Sequence, residues 1–266
     1  MSPLVSAFSS ETRGLALRDL VKGFSGPAGV VQVLDGLTLQ VREGEVVTIY
    51  GPNGSGKTTL FNALAGFDPC DAGQVLLGGA ALPSNEVAYL FQDYQGSLFP
   101  WLDLIDNVTF PMKVAGGARS RREAIGIMSL RKFGLDRFAK SYPYQLSGGM
   151  QQRLGLARTL LSQRRVVLLD EPFTALDQVA FDEVLATMSE PGQMSSQFVL
   201  CITHDLDAGI LFSDRIVVLG PRPGRVIDDV AVPLLRPRRR AMLLEPAFAE
   251  VRARVLKSSV TWNSRT

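Results

Sequence analysis

Gly51-Pro52-Asn53-Gly54-Ser55-Gly56-Lys57-Thr58 matches the pattern G-x-x-x-x-G-K-[ST] in full, follows the apolar run Val46 to Tyr50, and leads into a helical pattern at Leu60, Ala63 and Leu64. Strand, glycine-rich loop and helix in that order make a phosphate cradle. Glycines let the backbone curl so that successive N–H groups point inward, and the start of the helix adds positive potential. On this reading Lys57 neutralises the β- and γ-phosphates of a nucleotide, and the Thr58 hydroxyl ligates magnesium.

A second segment suits the first. Val166-Val167-Leu168-Leu169-Asp170-Glu171 is an apolar strand that ends in two acids. In a sheet built around a phosphate loop, metal and phosphates lie at the carboxyl ends of the strands, so Asp170 is expected on the metal side. Glu171 then faces the γ-phosphate and polarises the attacking water, either as general base or as an orienting acceptor.

Outward from these motifs the chain reads as α/β. Strands are expected at Leu15 to Leu20, Leu37 to Val41, Glu45 to Tyr50, Gln74 to Leu77, Val87 to Phe91, Val166 to Leu169, Val199 to Ile202 and Ile216 to Leu219. The fully apolar runs among them suit strands covered on both faces of a parallel sheet. From about residue 93 to 161 strand signals give way to helical periodicity, basic residues and the breakers Pro100, Pro111 and Pro143, which predicts an inserted helical subdomain. Pro233 to Arg240 reads as a linker before a last helical stretch, Met242 to Leu256. The domain reading is a flexible N-terminus at 1–12, an ATPase domain at 13–235, and a basic linker with a C-terminal helix at 236–266.

Composition narrows the class. At 46% hydrophobic and 20% charged residues, the 266-residue chain is globular rather than disordered. Its apolar runs are of strand length, short of the roughly 18 to 20 residues that cross a bilayer, so it is not expected to form a pore itself. Residues 1–12 show no basic-then-apolar leader, and a cytosolic site is expected. Cys70 and Cys201 lack metal-ligand spacing and read as packing residues. From Arg215 onward eleven Arg or Lys face four acids, leaving the rest of the chain mildly acidic. Arg236, Arg238, Arg239 and Arg240 in that tail form either a solvated basic face or a surface lying near anionic lipid.

Leu146-Ser147-Gly148-Gly149-Met150-Gln151-Gln152-Arg153 resembles the signature motif of ABC transporter ATPases. A serine hydroxyl and two glycines at a helix start offer N–H donors to an anion arriving from outside. The resemblance implies a P-loop NTPase of ABC type, with a mostly parallel sheet core, an antiparallel β portion and the inserted helical subdomain. It also implies that ATP and Mg²⁺ are bound between two copies of the chain, arranged head to tail. The phosphate loop, Gly51, Pro52, Asn53, Gly54, Ser55, Gly56, Lys57 and Thr58, continues into Thr59. Ser147, Gly148 and Gly149 would meet the γ-phosphate held by the other copy. Gln92 looks like the glutamine that reaches magnesium and water, so the metal set is Thr58, Gln92 and Asp170. His204, the chain's single histidine, matches the switch histidine that acts with Glu171 and Gln92 in catalysis. Ala175-Leu176-Asp177 resembles the loop that crosses the dimer interface, and Phe24 aligns with the aromatic that stacks on adenine.

Phe99-Pro100-Trp101-Leu102 with Asp106-Asn107-Val108, and Leu219-Gly220-Pro221-Arg222-Pro223-Gly224-Arg225, resemble importers of the nitrate, sulfonate and taurine type. Neither segment has a catalytic reason to exist. The first lies where the family docks its membrane subunit, and Trp101 serves there as an interface anchor or as a packing residue. The implied partners are two transmembrane permease subunits and, through them, a solute-binding protein; no nucleic acid is expected. The implied location is peripheral, on the cytoplasmic side of the inner membrane. An exporter ATPase would use the same chemistry. A DNA-repair type would need a long coiled coil between Gln92 and Ser147, where the chain has room only for a helical subdomain.

Overall fold

The computed structural model describes residues 14–27, 29–190 and 192–263, so the expected flexible segment 1–12 lies outside the described residues. The strands are β1 (Leu15–Gly26), β2 (Gly29–Val41), β3 (Val46–Tyr50), β4 (Ala72–Leu77), β5 (Ala80–Ala81), β6 (Val87–Leu90), β7 (Val166–Asp170), β8 (Phe198–Ile202), β9 (Arg215–Leu219) and β10 (Val226–Ala231). The helices are α1 (Lys57–Leu64), α2 (Tyr94–Ser97), α3 (Leu104–Val108), α4 (Phe110–Val114), α5 (Arg119–Lys132), α6 (Gly148–Leu161), α7 (Gln178–Met188), α8 (Leu206–Phe212) and α9 (Pro246–Asn263).

One sheet runs β10-β9-β3-β8-β7-β6, parallel from β9 to β6 with β10 antiparallel at its edge. A second, antiparallel sheet runs β2-β1-β4-β5. The parallel strands are apolar through most of their length because both their faces are covered, with Thr48, Asp170 and Arg215 as the exceptions. In β7, Val166 and Leu168 join a core with Leu17, Leu37 and Phe61 under the antiparallel sheet; Val167 and Leu169 face Leu154 and Phe212 on the other side. Residues 94–161 carry α2 to α6 and no strand. Cys201 is buried in one core and Cys70 packs against the other; both are free thiols.

Besides a longer β1 and the short, unexpected β5, two strands depart from the sequence expectation. β2 begins at Gly29 rather than Leu37, because its first half is a hairpin arm paired with β1 through Gly26 and Gly29, its residues 29–32 exposed and without an alternating pattern. β10 was not anticipated, since Asp228 and Asp229 interrupt its apolar pattern; Arg254 holds the first at 2.7 Å and Arg215 the second at 3.4 Å. The helix expected after the linker, at Met242 to Leu256, runs Pro246–Asn263 and packs onto the sheet. Phe248, Val251 and Val255 of α9 are buried in the same core as Ile216 and Val230.

Of the four tail arginines, Arg236 and Arg239 are exposed as expected, but Arg238 does not lie on that solvated or lipid-facing surface. Arg238 is 3% exposed; its guanidinium donates to the carbonyls of Leu234 and Ile210 at 3.1 Å, to that of Ser213, and to Asp214 at 3.3 Å. Arg236 chelates Asp214 at 3.0 and 3.1 Å and caps the Phe212 carbonyl at 3.1 Å. Together they satisfy the carbonyl end of α8, where a cation is favoured by both hydrogen bonding and the helix dipole. Burial lowers the Arg238 pKa to about 10, and Arg236 adds to that while Asp214 opposes it. Arg238→Met keeps much of the volume and orphans three carbonyls. It is expected to cost about 3 kcal/mol, a melting drop of about 6 to 12 °C for a chain this size. A thermal melt within about 2 °C of wild type would show that solvent replaces the guanidinium.

Candidate nucleotide site

β3 ends at Tyr50, and the chain turns through Gly51–Gly56 into α1. Gly54 and Gly56 sit at φ +78° and +89°, in the left-handed region. At Gly56 a Cβ would also lie 2.8 Å from Leu34 Cδ2 and 3.0 Å from the Val33 carbonyl, so the loop can press against β2 only as glycine. No side chain caps α1, which leaves its first-turn amides facing outward. Lys57 Nζ donates to the carbonyls of Gly51 and Pro52, each at 2.9 Å. Burial lowers the pKa of this ammonium, opposed by the Glu171 and Asp170 carboxylates. Ser55 Oγ is buried with no hydrogen-bond partner inside the loop. Uncapped amides, an orphaned hydroxyl and a lysine held by weak carbonyl partners fit a phosphate chain.

Asp170 closes β7, 3% exposed, and accepts from the Tyr89 hydroxyl at 3.3 Å. Burial pushes its carboxyl up to about 6; the Tyr89 bond and Lys57 work against this, and Glu171 adds to it. A cation beside it would restore the ordinary charged state. Glu171 follows with φ +51°, an unusual conformation for a side chain of its size. The surroundings hold it there. Its amide donates to the Ile202 carbonyl at 2.9 Å, its carbonyl accepts from buried Gln152 Nε2 at 2.8 Å, and Gln152 Oε1 accepts from the Ala175 amide at 2.8 Å. Glu171 Oε2 lies 2.9 Å from Nδ1 of His204, which follows β8 and leaves most of its ring in solvent. The carboxylate and imidazole therefore form a pair at the strand ends, with one ring nitrogen of His204 still free to meet an anion.

These parts converge on a cleft of about 490 Å³. Asn53, Gly54, Gly56, Lys57, Thr58 and Thr59 line its floor, and Gln92, Asp170 and Glu171 line one wall. At the other end stand Phe24, Val31 and Val33. The Phe24 ring is 42% exposed, with Lys22 Nζ 5.2 Å from its centroid, and offers a face wide enough for a base. Gly51, Pro52 and Ser55 form the body of the loop behind the lining. A larger groove of about 850 Å³ lies at the opposite edge of the sheet, near Phe133 and Gln197, and contains neither the phosphate loop nor the acids.

Five other predicted residues do not line the cleft; one is His204, which reaches it through Glu171. Ser147 is exposed at the start of α6, its hydroxyl accepting from the Met150 amide at 3.4 Å, with Gly148 and Gly149 in the first turn. Asp177 caps α7, accepting from the Ala180 amide at 2.9 Å. The two segments are neighbours: a Cβ on Gly149 would come within 2.9 Å of the Ala175 carbonyl. Sequence reasoning missed Tyr89, Gln152, Val31, Val33 and Arg222. Gln152, a polar residue on the buried face of α6, was detectable by helical spacing; the others reach the site only through tertiary packing.

Residues 34–174 match the family described as ABC transporter. The chain is 38% identical over 235 residues to the aliphatic sulfonates import ATP-binding protein SsuB 2 of Burkholderia cenocepacia, covering 88% of this chain and 84% of that one. It is 43% identical over 209 residues to the taurine import ATP-binding protein TauB of Sinorhizobium fredii, covering 77% of each. A dimeric ATP-binding cassette, solved in a post-hydrolysis state with ADP and Pi, superposes with a TM-score of 0.73 at 27% identity, over 83% of this chain and all of that one. With the phosphate loop, paired acids and aromatic wall meeting in one cleft, the chain belongs to the ABC transporter family and is one of its ATP-binding, ATP-hydrolysing subunits.

Proposed function

We propose that this cleft binds MgATP with adenine on Phe24 and the phosphates over the Gly51–Thr59 loop, and that Glu171 activates the water which attacks the γ-phosphate. The observation that carries the proposal is the pairing of base and cation in one cavity: Glu171 and Lys57 both line it, and His204, a group that can meet the γ-phosphate, sits 2.9 Å from Glu171. Among the described residues no cluster of three or more His, Cys, Asp or Glu could hold a metal alone. That suits Mg²⁺, which Thr58, Gln92 and Asp170 would hold together with phosphate oxygens and water. When bound, the cation neutralises charge on the phosphates. The chain's own residues do the rest. Lys57 leaves its loop carbonyls for the phosphates, Gln152 fixes the Glu171 backbone, and His204 holds the carboxylate in place.

Ser147, Gly148, Gly149 and Asp177 complete the site of a second copy, head to tail. The exposure of Ser147 and Asp177, outside their own cleft, supports this arrangement. No helix among the described residues is long and apolar enough to cross a membrane, so a path across one belongs to permease partners, which would hold this subunit at the membrane surface. Phe99–Leu102 suits their docking. Buried Asn107 donates to the carbonyls of Phe99 and Leu102 at 3.0 and 2.9 Å and accepts from the Phe99 amide at 2.9 Å, so the turn is fixed from beneath while Trp101 stands 70% exposed. The names of the sulfonate and taurine relatives favour import of a small sulfonate, chosen by the other subunits.

Docking through Trp101 has a distinct signature. Trp101→Ala should melt within about 2 °C of wild type and bind ATP normally, since an exposed ring contributes little to the core. Association with the co-expressed permease, measured by co-purification from membranes, should be lost. Co-purification at the wild-type level would overturn the docking role.

A further inference from the structure

The turn Gly220–Arg225, which joins β9 to β10 and has no part in the chemistry above, is built onto the phosphate loop. Its ends are pinned: the Gly220 amide donates to the Arg225 carbonyl at 2.9 Å, and the Gly224 amide to the Val33 carbonyl at 2.7 Å. A Cβ on Gly224 would fall 2.1 Å from the Ser55 carbonyl, so only glycine seats the turn there. Its two arginines then part company. Arg225 pairs with Asp35. Arg222 lines the nucleotide cleft, where its Nε donates to the Gly54 carbonyl at 3.4 Å and Nη2 lies 3.5 Å from the position a Gly54 Cβ would take. Among the described residues no carboxylate pairs with Arg222.

A guanidinium with one weak carbonyl contact keeps most of its five donors for an oxyanion, in a geometry that matches phosphate. The position favours the phosphate end of the nucleotide over the base, because Gly54 belongs to the phosphate loop and the base wall is apolar. We infer that Arg222 is a second cation of the nucleotide site, contacting the phosphate chain alongside Lys57. The inference rests on the reading of the cleft as the nucleotide site, and it gives the proline and glycine residues of this turn a purpose: they carry one arginine to the phosphates.

Titration of monomeric protein with mant-ATP tests it, using Arg222→Gln, Arg222→Lys and Lys57→Ala. Removing one charge-assisted contact at a solvent-open site should weaken binding about tenfold at low ionic strength, and less in high salt. The lysine variant keeps the charge but loses the donor fork, so it should weaken binding about threefold, less than the glutamine variant. Wild-type affinity for Arg222→Gln, with Lys57→Ala binding abolished, would overturn the inference and leave the site reading intact. Equal losses in Arg222→Gln and Arg222→Lys would also overturn it, by assigning Arg222 to shaping the loop through Gly54. Unchanged monomer affinity with loss of ATP-dependent dimerisation would hand Arg222 to the partner subunit instead. If Lys57→Ala binds as wild type does, it is the cleft reading that fails.

Discussion

Glu171→Gln is expected to bind ATP with wild-type affinity and to lose turnover by about a thousandfold, within the range that a positioned general base supplies. The change is nearly isosteric. The contacts that hold residue 171 at φ +51° run through its backbone, to Ile202 and Gln152, so they survive the substitution. The amide can still accept a hydrogen bond from His204. It cannot take a proton from water, and it brings no negative charge to orient one. Phosphate release in a single turnover, set beside ATP affinity on the same preparation, reads the two properties separately. Turnover within tenfold of wild type would remove Glu171 from the chemistry, whatever its contact with His204.

The parallel core was legible because burial on both faces leaves strands with no polar position, as in Val166–Leu169 and Val199–Ile202. The phosphate loop was legible because its glycines answer local demands: Gly54 and Gly56 need left-handed backbone, and that need is written within a few residues. Features set by distant partners were not. β10 hides behind Asp228 and Asp229, whose charges make sense only beside Arg254 and Arg215. Arg238 looks like a surface residue in any local window and is buried because α8 ends in carbonyls that require donors. The segments 99–102 and 106–108 belong together for a reason that only the fold shows. The reason is the hydrogen bonding of Asn107, which holds the Phe99–Leu102 turn. Arg222 likewise could not be assigned to the cleft before the turn was seen against Ser55.

The second large effect tests the proposed sharing of the site between two copies. Ser147→Arg leaves the cleft untouched, since Ser147 does not line it, and should bind ATP normally. It should nonetheless lose about a hundred- to a thousandfold in hydrolysis, as expected when preorganised donors at a reacting phosphate are displaced. Lys57→Ala should be inactive for the opposite reason, its loop failing to hold ATP while its signature helix remains whole. Neither variant can build a working site with its own kind.

Mixing the two inactive variants therefore tests the central claim, that ATP is hydrolysed between two copies of this chain. A heterodimer pairs the intact loop of the Ser147→Arg subunit with the intact signature of the Lys57→Ala subunit, and leaves its other site doubly damaged. Phosphate release from an equimolar mixture should rise to about a quarter of the wild-type rate per subunit, as random pairing in a twofold dimer gives. A mixture that stays as inactive as its components, with no ATP-dependent dimer on sizing, would contradict the account.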